Sequence, residues 1–178
     1  MTSIEHIDAR TIRMATKDLL HWEDVEVGRT NTYGAYEVTK EEIFEYASEY
    51  DPQPHHLDEE AAKKSLVGGL CASGWHTCAM FMRVLCDGVL KNAASMGAAG
   101  IDEVRWMKPV RPGHILSAKS VCTSKRLMSS RPNVGICQMK HEIYNQHGEM
   151  VMTMENAQFL AVRDPEGAQA ASVRGSPS

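Results

Sequence analysis

Residues 74–90 are the segment that most restricts how this chain can fold. Apolar side chains recur there at steps of three and four residues, and the two charged side chains, Arg83 and Asp87, lie near the far end. The stripe consists of Trp75, Cys78, Met82, Leu85 and Val89, and it is widened by Ala79, Cys86 and Leu90. A helix with so little polar surface is built for burial. The spacing therefore predicts a long central helix around which a sheet wraps.

The chain after this helix is dominated by strand-forming segments. Residues 92–100 are small and rich in Gly and Ala, which indicates a connection. Strands are predicted at residues 105–108, 115–123, 134–144 and 150–162, and Asn-Gln-His-Gly at residues 145–148 is typical of a hairpin turn. Met150, Met152 and Met154 alternate onto one face of the last strand, as expected of a strand that packs against the central helix.

The chain before the central helix predicts one strand and two helices. Residues 26–38 contain β-formers punctuated by glycine and indicate a strand. Thr39 and Glu42 have the spacing of a capping box, and the apolar residues that follow have helical periodicity, so a helix should end near Asp51. Asp58 is suited to cap a second, short helix over residues 58–65.

The stretch between these two helices is the part of the sequence that looks like chemistry. Asp51 and His56 are separated by four residues, two of which are prolines that favour extended and turn conformations, so both side chains can be held near one point. A carboxylate and an imidazole held in this way form an acid/base pair. Further along, Ser73 can cap the central helix, and the backbone N–H of Gly74 at its start is a ready oxyanion donor.

Each of these residues also has another explanation. Asp51 is a common turn former, His56 could be a satisfied buried histidine, and Gly74 could simply allow tight packing of the helix on the sheet. A metal site is a further alternative, because imidazoles and carboxylates suit zinc or iron. Its ligands would be His55, His56, Asp58 and His76, but no His-x-x-x-His helical pair accompanies them.

The residues around Asp51 resemble the MaoC-like dehydratases, the (R)-specific enoyl-CoA hydratase group of the hotdog fold. The signature of that family reads roughly Asp-x-Asn-Pro-x-His-x-Asp, followed by a His-Gly-Met helix start. The matching positions here are Asp51, Gln53, Pro54, His56 and Asp58, and then Ser73, Gly74 and Trp75. The resemblance extends to residues 100–113 and 145–148 and covers about residues 22–163. Gln53 stands where asparagine is usual, and Ser73 stands where a histidine often precedes the glycine.

This resemblance implies a fold and an assembly. The expected fold is α+β, a single hotdog domain over residues 21–163 with an antiparallel β-sheet wrapped around a long central helix. The expected assembly is a homodimer or a multiple of dimers, because a wrapped sheet of this size leaves edges that a second copy can cover.

The resemblance also implies a reaction, the reversible syn hydration of a trans-2-enoyl-CoA to a (3R)-hydroxyacyl-CoA, without a metal or other cofactor. Asp51, His56 and Gly74 would be catalytic, and Gln53, Pro54, Ser73 and Trp75 would bind the acyl-CoA thioester. Candidates for the phosphates of coenzyme A are Lys63, Lys64, Arg105, Lys108 and Arg111. Two alternatives stay open: a hotdog acyl-CoA thioesterase, which the Asp/His pair disfavours, and a non-catalytic acyl-CoA-binding subunit.

Composition sets the outer limits. A net charge of −4 from 19 basic and 23 acidic residues gives no sign of nucleic-acid or anionic-membrane binding. Five cysteines without a Cys-x-x-Cys pair favour reduced thiols in the cytoplasm over a secreted disulfide framework. Residues 1–20 have no apolar run typical of a signal peptide or membrane span and are expected to form an N-terminal arm. Residues 164–178 are expected to be a flexible, disordered tail.

Overall fold

A computed structural model describes residues 19–174 of the chain. The helices are α1 (Lys40–Tyr50), α2 (Pro54–Leu57), α3 (Glu59–Lys64), α4 (Gly74–Gly88) and α5 (Pro165–Arg174). The strands are β1 (Thr30–Glu37), β2 (Ser95–Ala98), β3 (Glu103–Trp106), β4 (Ile115–Met128), β5 (Arg131–Tyr144) and β6 (Met150–Ala161). Single 3₁₀ turns are present at Trp22–Asp24 and Leu90–Asn92.

The strands form one six-stranded sheet in which every strand pair is antiparallel. The order is β1-β4-β5-β6-β2, and β3 also pairs with β6. The turn between β5 and β6 is the predicted hairpin, where the Gly148 N–H donates to the Asn145 carbonyl oxygen at 3.0 Å. The two short strands β2 and β3 pair with different parts of β6, so they share one edge of the sheet.

Helix α4 is the centre of the hydrophobic core. Met80, Phe81, Val84 and Leu85 are buried together with side chains from β4, β5 and β6. The predicted architecture, a single α+β hotdog domain whose antiparallel sheet wraps around a central helix, is therefore confirmed.

The predicted apolar stripe on α4 is only partly correct: Leu85 is buried and Cys78, Val89 and Leu90 pack against the core, but other members are exposed. The buried residues of this helix are His76, Thr77, Met80, Phe81, Val84 and Leu85, whereas Trp75 and Met82 are 60% and 48% exposed. Because α4 is apolar around most of its circumference, the spacing of its apolar residues does not identify the face that packs on the sheet. The exposed apolar face remains available for another contact.

The helix starts were predicted correctly. Thr39 accepts from the Glu42 N–H at 3.2 Å, Asp58 accepts from the Ala61 N–H at 2.7 Å, and Ser73 accepts from the Trp75 N–H at 3.3 Å. The capping box at Thr39 is only half formed. The Glu42 carboxylate instead accepts a hydrogen bond from the Tyr36 hydroxyl, and it lies 3.5 Å from Nε2 of His76.

Several boundaries differ from the predictions. The segment expected to connect the central helix to the sheet contains β2, and β4 and β5 are longer than predicted. On β6, Met152 and Met154 pack in the core as predicted, but Met150 is only half-buried, because the pairing with β5 shifts between residues 143 and 144.

The ends of the chain also carried predictions. The arm at residues 1–20 lies mostly outside the described residues. Within the tail, the expectation of a chain without secondary structure is wrong for α5, which begins directly after Asp164. The Asp164 side chain accepts from the Gly167 N–H at 3.1 Å, proline is favourable in the first helical turn, and alanines follow. Flexibility of this tail stays a prediction.

Candidate active site

Asp51 lies directly after α1, where the helix ends. Its N–H donates to the Ala47 carbonyl oxygen at 3.0 Å, so its backbone position is fixed by the last turn of the helix. The helix ends here because Pro52 follows, and a residue before proline avoids the helical conformation. The Asp51 side chain is 21% exposed.

His56 is held by the short helix α2, which the sequence predicted as extended or turned chain. Pro54 begins this helix at its first position, where proline is well tolerated, and the single turn rotates His56 inward until its side chain is 8% exposed. Its Nδ1 lies 2.8 Å from the carbonyl oxygen of Cys71. A carbonyl oxygen can only accept, so Nδ1 carries a proton and the neutral ring has its lone pair at Nε2.

The free nitrogen of His56 faces the carboxylate of Asp51. Nε2 and Oδ2 are 3.6 Å apart, which is too long for a direct hydrogen bond. Two polar atoms at this separation can both contact the same small polar molecule, such as water. The structure therefore brings together the two side chains that the sequence singled out as an acid/base pair.

The carboxylate of Asp51 is surrounded by hydrogen-bond donors. The neighbouring Ser73 hydroxyl and then the Gln53 amide, whose Nε2 donates to Oδ1 at 2.7 Å, lower the pKa of Asp51 below its ordinary value. His56 acts in the same direction. Donors directed at the charged form stabilise it, so Asp51 is an anion at neutral pH. Gln53 and Ser73, both predicted to bind substrate, thus also orient Asp51.

Gly74 is the first residue of α4, directly after the Ser73 cap. In this position its N–H has no acceptor within the helix. Its carbonyl oxygen accepts from the indole Nε1–H of Trp106 at 2.9 Å. A Cβ atom at residue 74 would lie 2.5 Å from Cε2 of Trp106, so the indole ring occupies the space of a side chain. Any larger residue here would therefore have to displace the Trp106 ring.

Trp75 and Pro54 occupy less central positions. The Trp75 ring meets the Trp106 ring edge to face, with centroids 5.6 Å apart, on the exposed side of the helix start. Pro54 is exposed, and its carbonyl oxygen accepts from the Asp58 N–H at 2.9 Å. The contribution of Pro54 that the structure describes is to start α2 and thereby to direct His56.

Arg111 supports the site from behind, and the sequence did not predict this role. Its guanidinium donates to the carbonyl oxygens of Val67 at 2.6 Å and Leu70 at 3.2 Å. These bonds hold the loop that leads into Cys71, whose carbonyl oxygen fixes the His56 ring. Gly69 has a φ of +147° and leaves room for the guanidinium, since a Cβ there would lie 2.9 Å from Nη1. Arg111 therefore positions this loop.

Three of the other proposed phosphate contacts, Lys63, Arg105 and Lys108, have partners within the protein. Lys63 pairs with Glu60 at 2.6 Å, Arg105 with Glu103 at 2.7 Å and Lys108 with Glu149 at 2.5 Å. These pairs are exposed, and such pairs are weak and exchange readily with other anions. Contacts of these side chains with coenzyme A stay a prediction.

The structure was also compared with the alternative prediction of a metal site. Within residues 19–174, no three His, Cys, Asp or Glu side chains are placed so that they could hold a metal ion. Two of the four candidate ligands have other partners: Asp58 caps α3, and the His76 ring stacks on Tyr46 with centroids 4.4 Å apart. His55 contacts the His56 ring at a centroid distance of 4.1 Å.

Two recesses flank α4 near this site. A cavity of about 540 Å³ is lined by Trp75, Met82 and residues of β2 and β6. A depression of about 280 Å³ lies towards α1 and is lined by Tyr46, Tyr50 and His76. In the part of the chain that the structure describes, neither recess is lined by Asp51 or His56.

Comparison with known proteins identifies the family. The MaoC like domain matches residues 25–142. The crystal structure of a MaoC-like dehydratase from Rhodospirillum rubrum is 39% identical, with a TM-score of 0.76, and the match covers 82% of this chain and 99% of that one. The uncharacterised protein YdeM of Bacillus subtilis (strain 168) is 27% identical over 124 residues, which are 70% of this chain and 86% of YdeM.

An (R)-hydratase from A. caviae involved in PHA biosynthesis shares the fold. It is 22% identical, with a TM-score of 0.61, over 76% of this chain and 97% of the hydratase. The chain belongs to the MaoC-like domain family of hotdog dehydratases and hydratases. Among the helices described, none has the length and apolar character needed to cross a membrane.

Proposed function

We propose that this protein is an acyl-CoA hydratase/dehydratase that reversibly adds water to a trans-2-enoyl-CoA with syn geometry, giving a (3R)-hydroxyacyl-CoA. The observation that carries the proposal is the pairing of His56 Nε2 with Asp51 Oδ2 at 3.6 Å, with the ring fixed through Nδ1 on the Cys71 carbonyl oxygen. This arrangement suits proton transfer to and from a small molecule held between the two side chains. Family membership supports the same class of reaction.

In the proposed mechanism, a water molecule lies between the two side chains and attacks C3 of the enoyl group. The oxygen–C3 bond forms while an O–H bond of the water breaks, and the electron pair of the C2=C3 bond moves toward the thioester carbonyl. His56 Nε2 takes the proton, because the donors around Asp51 make its carboxylate the weaker base. Asp51 accepts the second hydrogen bond of the water and then stabilises the imidazolium.

The imidazolium completes the addition by returning its proton to C2. The same proton thus leaves the water and arrives on the same face of the substrate, which gives syn addition and regenerates neutral His56. The Gly74 N–H stabilises the thioester oxygen while it carries enolate charge. Loss of one such donor typically costs about 2.7–4 kcal/mol of transition-state stabilisation.

The remaining site residues are assigned to positioning and binding. Gln53 and Ser73 hold the Asp51 carboxylate, Pro54 directs α2, and Trp75 lines the 540 Å³ cavity. We place the site near the interface of a homodimer, because the apolar face beside it is exposed in the single chain. This face contains Trp75, Met82, Ile101, Trp106 and Met107, all between 48% and 60% exposed.

The test is a panel of trans-2-enoyl-CoA substrates of increasing chain length. Hydration is followed as loss of the conjugated enoyl-thioester absorbance, and release of free thiol is measured in parallel. The proposal expects loss of absorbance without thiol release. Thiol release from saturated acyl-CoA would identify a thioesterase instead, and binding of acyl-CoA without turnover would identify a non-catalytic subunit.

A further inference from the structure

The 540 Å³ cavity beside α4 has polar groups in an otherwise apolar wall. Phe81, Met82, Leu85 and Met154 supply much of its surface, but Ser95, Asn156 and Gln158 also line it, and Asn156 is only 8% exposed. On β6, Asn156 shares the inward face with Met152 and Met154, where an apolar residue would be expected. A buried amide in such a place is costly unless it has hydrogen-bond partners.

Asn156 is the last member of a chain of polar side chains across three strands. Ser120 Oγ on β4 lies 2.6 Å from Nδ1 of His141 on β5, and His141 Nε2 lies 3.2 Å from Oδ1 of Asn156 on β6. Ser120 and His141 are 1% and 0% exposed. A network of this kind fixes the orientation of its members, because every rearrangement leaves a buried group unpaired.

The direction of the hydrogen bonds leaves one group without a partner. Burial lowers the pKa of His141 to about 4, so the ring is neutral and has a single N–H. Nε2–H donates to Asn156 Oδ1, and Nδ1 accepts from the Ser120 hydroxyl. Within the described residues, Nδ2 of Asn156 makes no hydrogen bond. It therefore presents N–H donors to the cavity.

The lining of the cavity restricts what these donors can bind. The donors need an acceptor, which in an acyl chain is an oxygen, and no Lys or Arg among the described lining residues could neutralise a carboxylate. An unpaired carboxylate in an apolar cavity would be strongly disfavoured. An uncharged oxygen, in a hydroxyl or carbonyl group, meets both conditions.

The position of the amide sets the length of the ligand. The Phe81 ring lies 5.0 Å from the His141 ring, and residue 81 is roughly 10 Å along the helix axis from Gly74 at a rise of about 1.5 Å per residue. With the thioester at Gly74, an oxygen near Asn156 would belong to the distal part of a medium-length acyl chain.

We infer that the preferred substrates are medium-length acyl-CoA thioesters with a hydroxyl or carbonyl oxygen near the distal end of the acyl chain, bound by the Asn156 amide. This inference rests on the proposed function and specifies its substrate class. Asn156 is the specificity-determining residue, and His141 and Ser120 are positioning residues that hold its amide toward the cavity.

The test measures binding without turnover. Calorimetric titration measures the affinity for three saturated ligands. The first is octanoyl-CoA, the second is an octanoyl-CoA with a keto group near the distal end of the acyl chain (the keto ligand), and the third has a carboxylate at the distal end. The wild type is expected to bind the keto ligand about tenfold or more tightly than octanoyl-CoA, since an apolar chain end would cover the Asn156 amide and leave its N–H groups unpaired. The carboxylate is expected to bind most weakly. The Asn156→Leu variant, similar in shape, should lose or invert the preference for the keto ligand.

Met154→Leu is the matched control on the same wall, and it should leave the ratio of the two affinities unchanged. Equal affinities in the wild type, or an Asn156→Leu variant that retains the preference, would overturn the inference. If Asn156→Leu does not fold, the ratio of the two affinities in the wild type alone tests the inference. The saturated ligands cannot be hydrated, so their binding is measured independently of turnover. A preference for the keto ligand in a protein that hydrates no enoyl-CoA would contradict the proposed function but not this inference. Hydration of enoyl-CoA without a preference for the keto ligand would contradict this inference but not the proposed function.

Discussion

The indole Nε1 of Trp106 donates to the carbonyl oxygen of Gly74 at 2.9 Å, and the indole ring fills the space in which a side chain at residue 74 would lie. Glycine at this position thus has a packing reason that is independent of chemistry. The single variant Gly74→Ala would displace Trp106, and a loss of activity would not show whether the N–H binds the thioester oxygen.

The packing role and the oxyanion role of Gly74 can be tested separately in a Trp106→Ala background, where the space beside residue 74 is free. There, Gly74→Ala keeps the N–H and Gly74→Pro removes it. Proline is tolerated at the first helical position, and Ser73, with φ −53° and ψ 146°, already has a conformation compatible with a following proline. We expect similar melting temperatures but a kcat about 10²–10³-fold lower for the proline variant, the usual effect of losing one oxyanion donor.

Trp106→Ala alone supplies the control, because it measures the loss of packing. It should melt lower than the wild type, since the contact of the half-exposed ring with Gly74 and its hydrogen bond are removed. Equal kcat values for the alanine and proline variants in this background would show that the Gly74 N–H has no role in the reaction.

Arg111 is expected to affect both stability and activity. Arg111→Ala removes the hydrogen bonds to the Val67 and Leu70 carbonyl oxygens, and bonds from a charged donor contribute about 1.5–3 kcal/mol each. The loop should then relax, and with it the Cys71 carbonyl oxygen that fixes His56. We expect a lower denaturant midpoint and a lower kcat/KM, with Arg111→Lys intermediate.

The control for Arg111 is Lys140→Ala, which removes a cation that pairs with Glu155 on the surface. Surface substitutions of this kind usually change stability by less than about 0.5 kcal/mol. An Arg111→Ala protein as active and as stable as the Lys140→Ala protein would mean that the loop is held in place by other contacts.

His141 should make the fold sensitive to mild acid. Its pKa is lowered by burial from 6.5 to about 4, so between these pH values the unfolded chain binds a proton that the folded protein does not. The stabilisation is fully present above pH 6.5 and is lost as the pH falls. The size of the loss is on the order of 3 kcal/mol.

Denaturant unfolding at a series of pH values measures this effect. The His141→Gln variant, which retains hydrogen-bonding groups but does not titrate, should show a smaller decrease in the free energy of unfolding over the same range. The same slope for both proteins would assign the acid sensitivity to other groups.

Local features of this structure were predictable from the sequence, because they depend on residues a few positions apart. The caps at Thr39, Asp58 and Ser73 and the hairpin at residues 145–148 belong to this class. The pairing of Asp51 with His56 was also predicted, but the reason given was incomplete. Their side chains meet because α2 forms a helical turn and the distant Cys71 carbonyl oxygen fixes the ring.

Contacts between distant parts of the chain were not predictable in this way. Nothing in the local sequence places Trp106 on Gly74, or directs Arg111 to the loop before Cys71, because both contacts depend on how the sheet folds over α4. The buried face of α4 was predicted only in part, for a related reason. Two faces of the helix are apolar, and only the packing of the sheet selects between them.

The exposed apolar face is expected to form a homodimer interface. Size-exclusion chromatography with light scattering should give the mass of a dimer or a multiple of it. Met107→Glu, at a residue 55% exposed in the single chain, should weaken the assembly because it places a charge in an apolar contact. Ile115→Glu, at a residue 42% exposed on β4, is the control and should leave the assembly unchanged. A wild-type monomer that hydrates substrate would contradict this expectation.

The most direct test of the proposed mechanism is the initial rate at which the enoyl-thioester absorbance falls with Asp51→Asn and His56→Ala. Each variant should hydrate substrate at least about 10²-fold more slowly than the wild type, since general acid–base catalysis contributes roughly 10²–10⁴-fold. His55→Ala, which alters the neighbouring histidine, serves as the control and should stay within a few-fold of the wild type. Near wild-type rates in folded Asp51→Asn or His56→Ala protein would contradict the assignment of these two side chains as the catalytic pair.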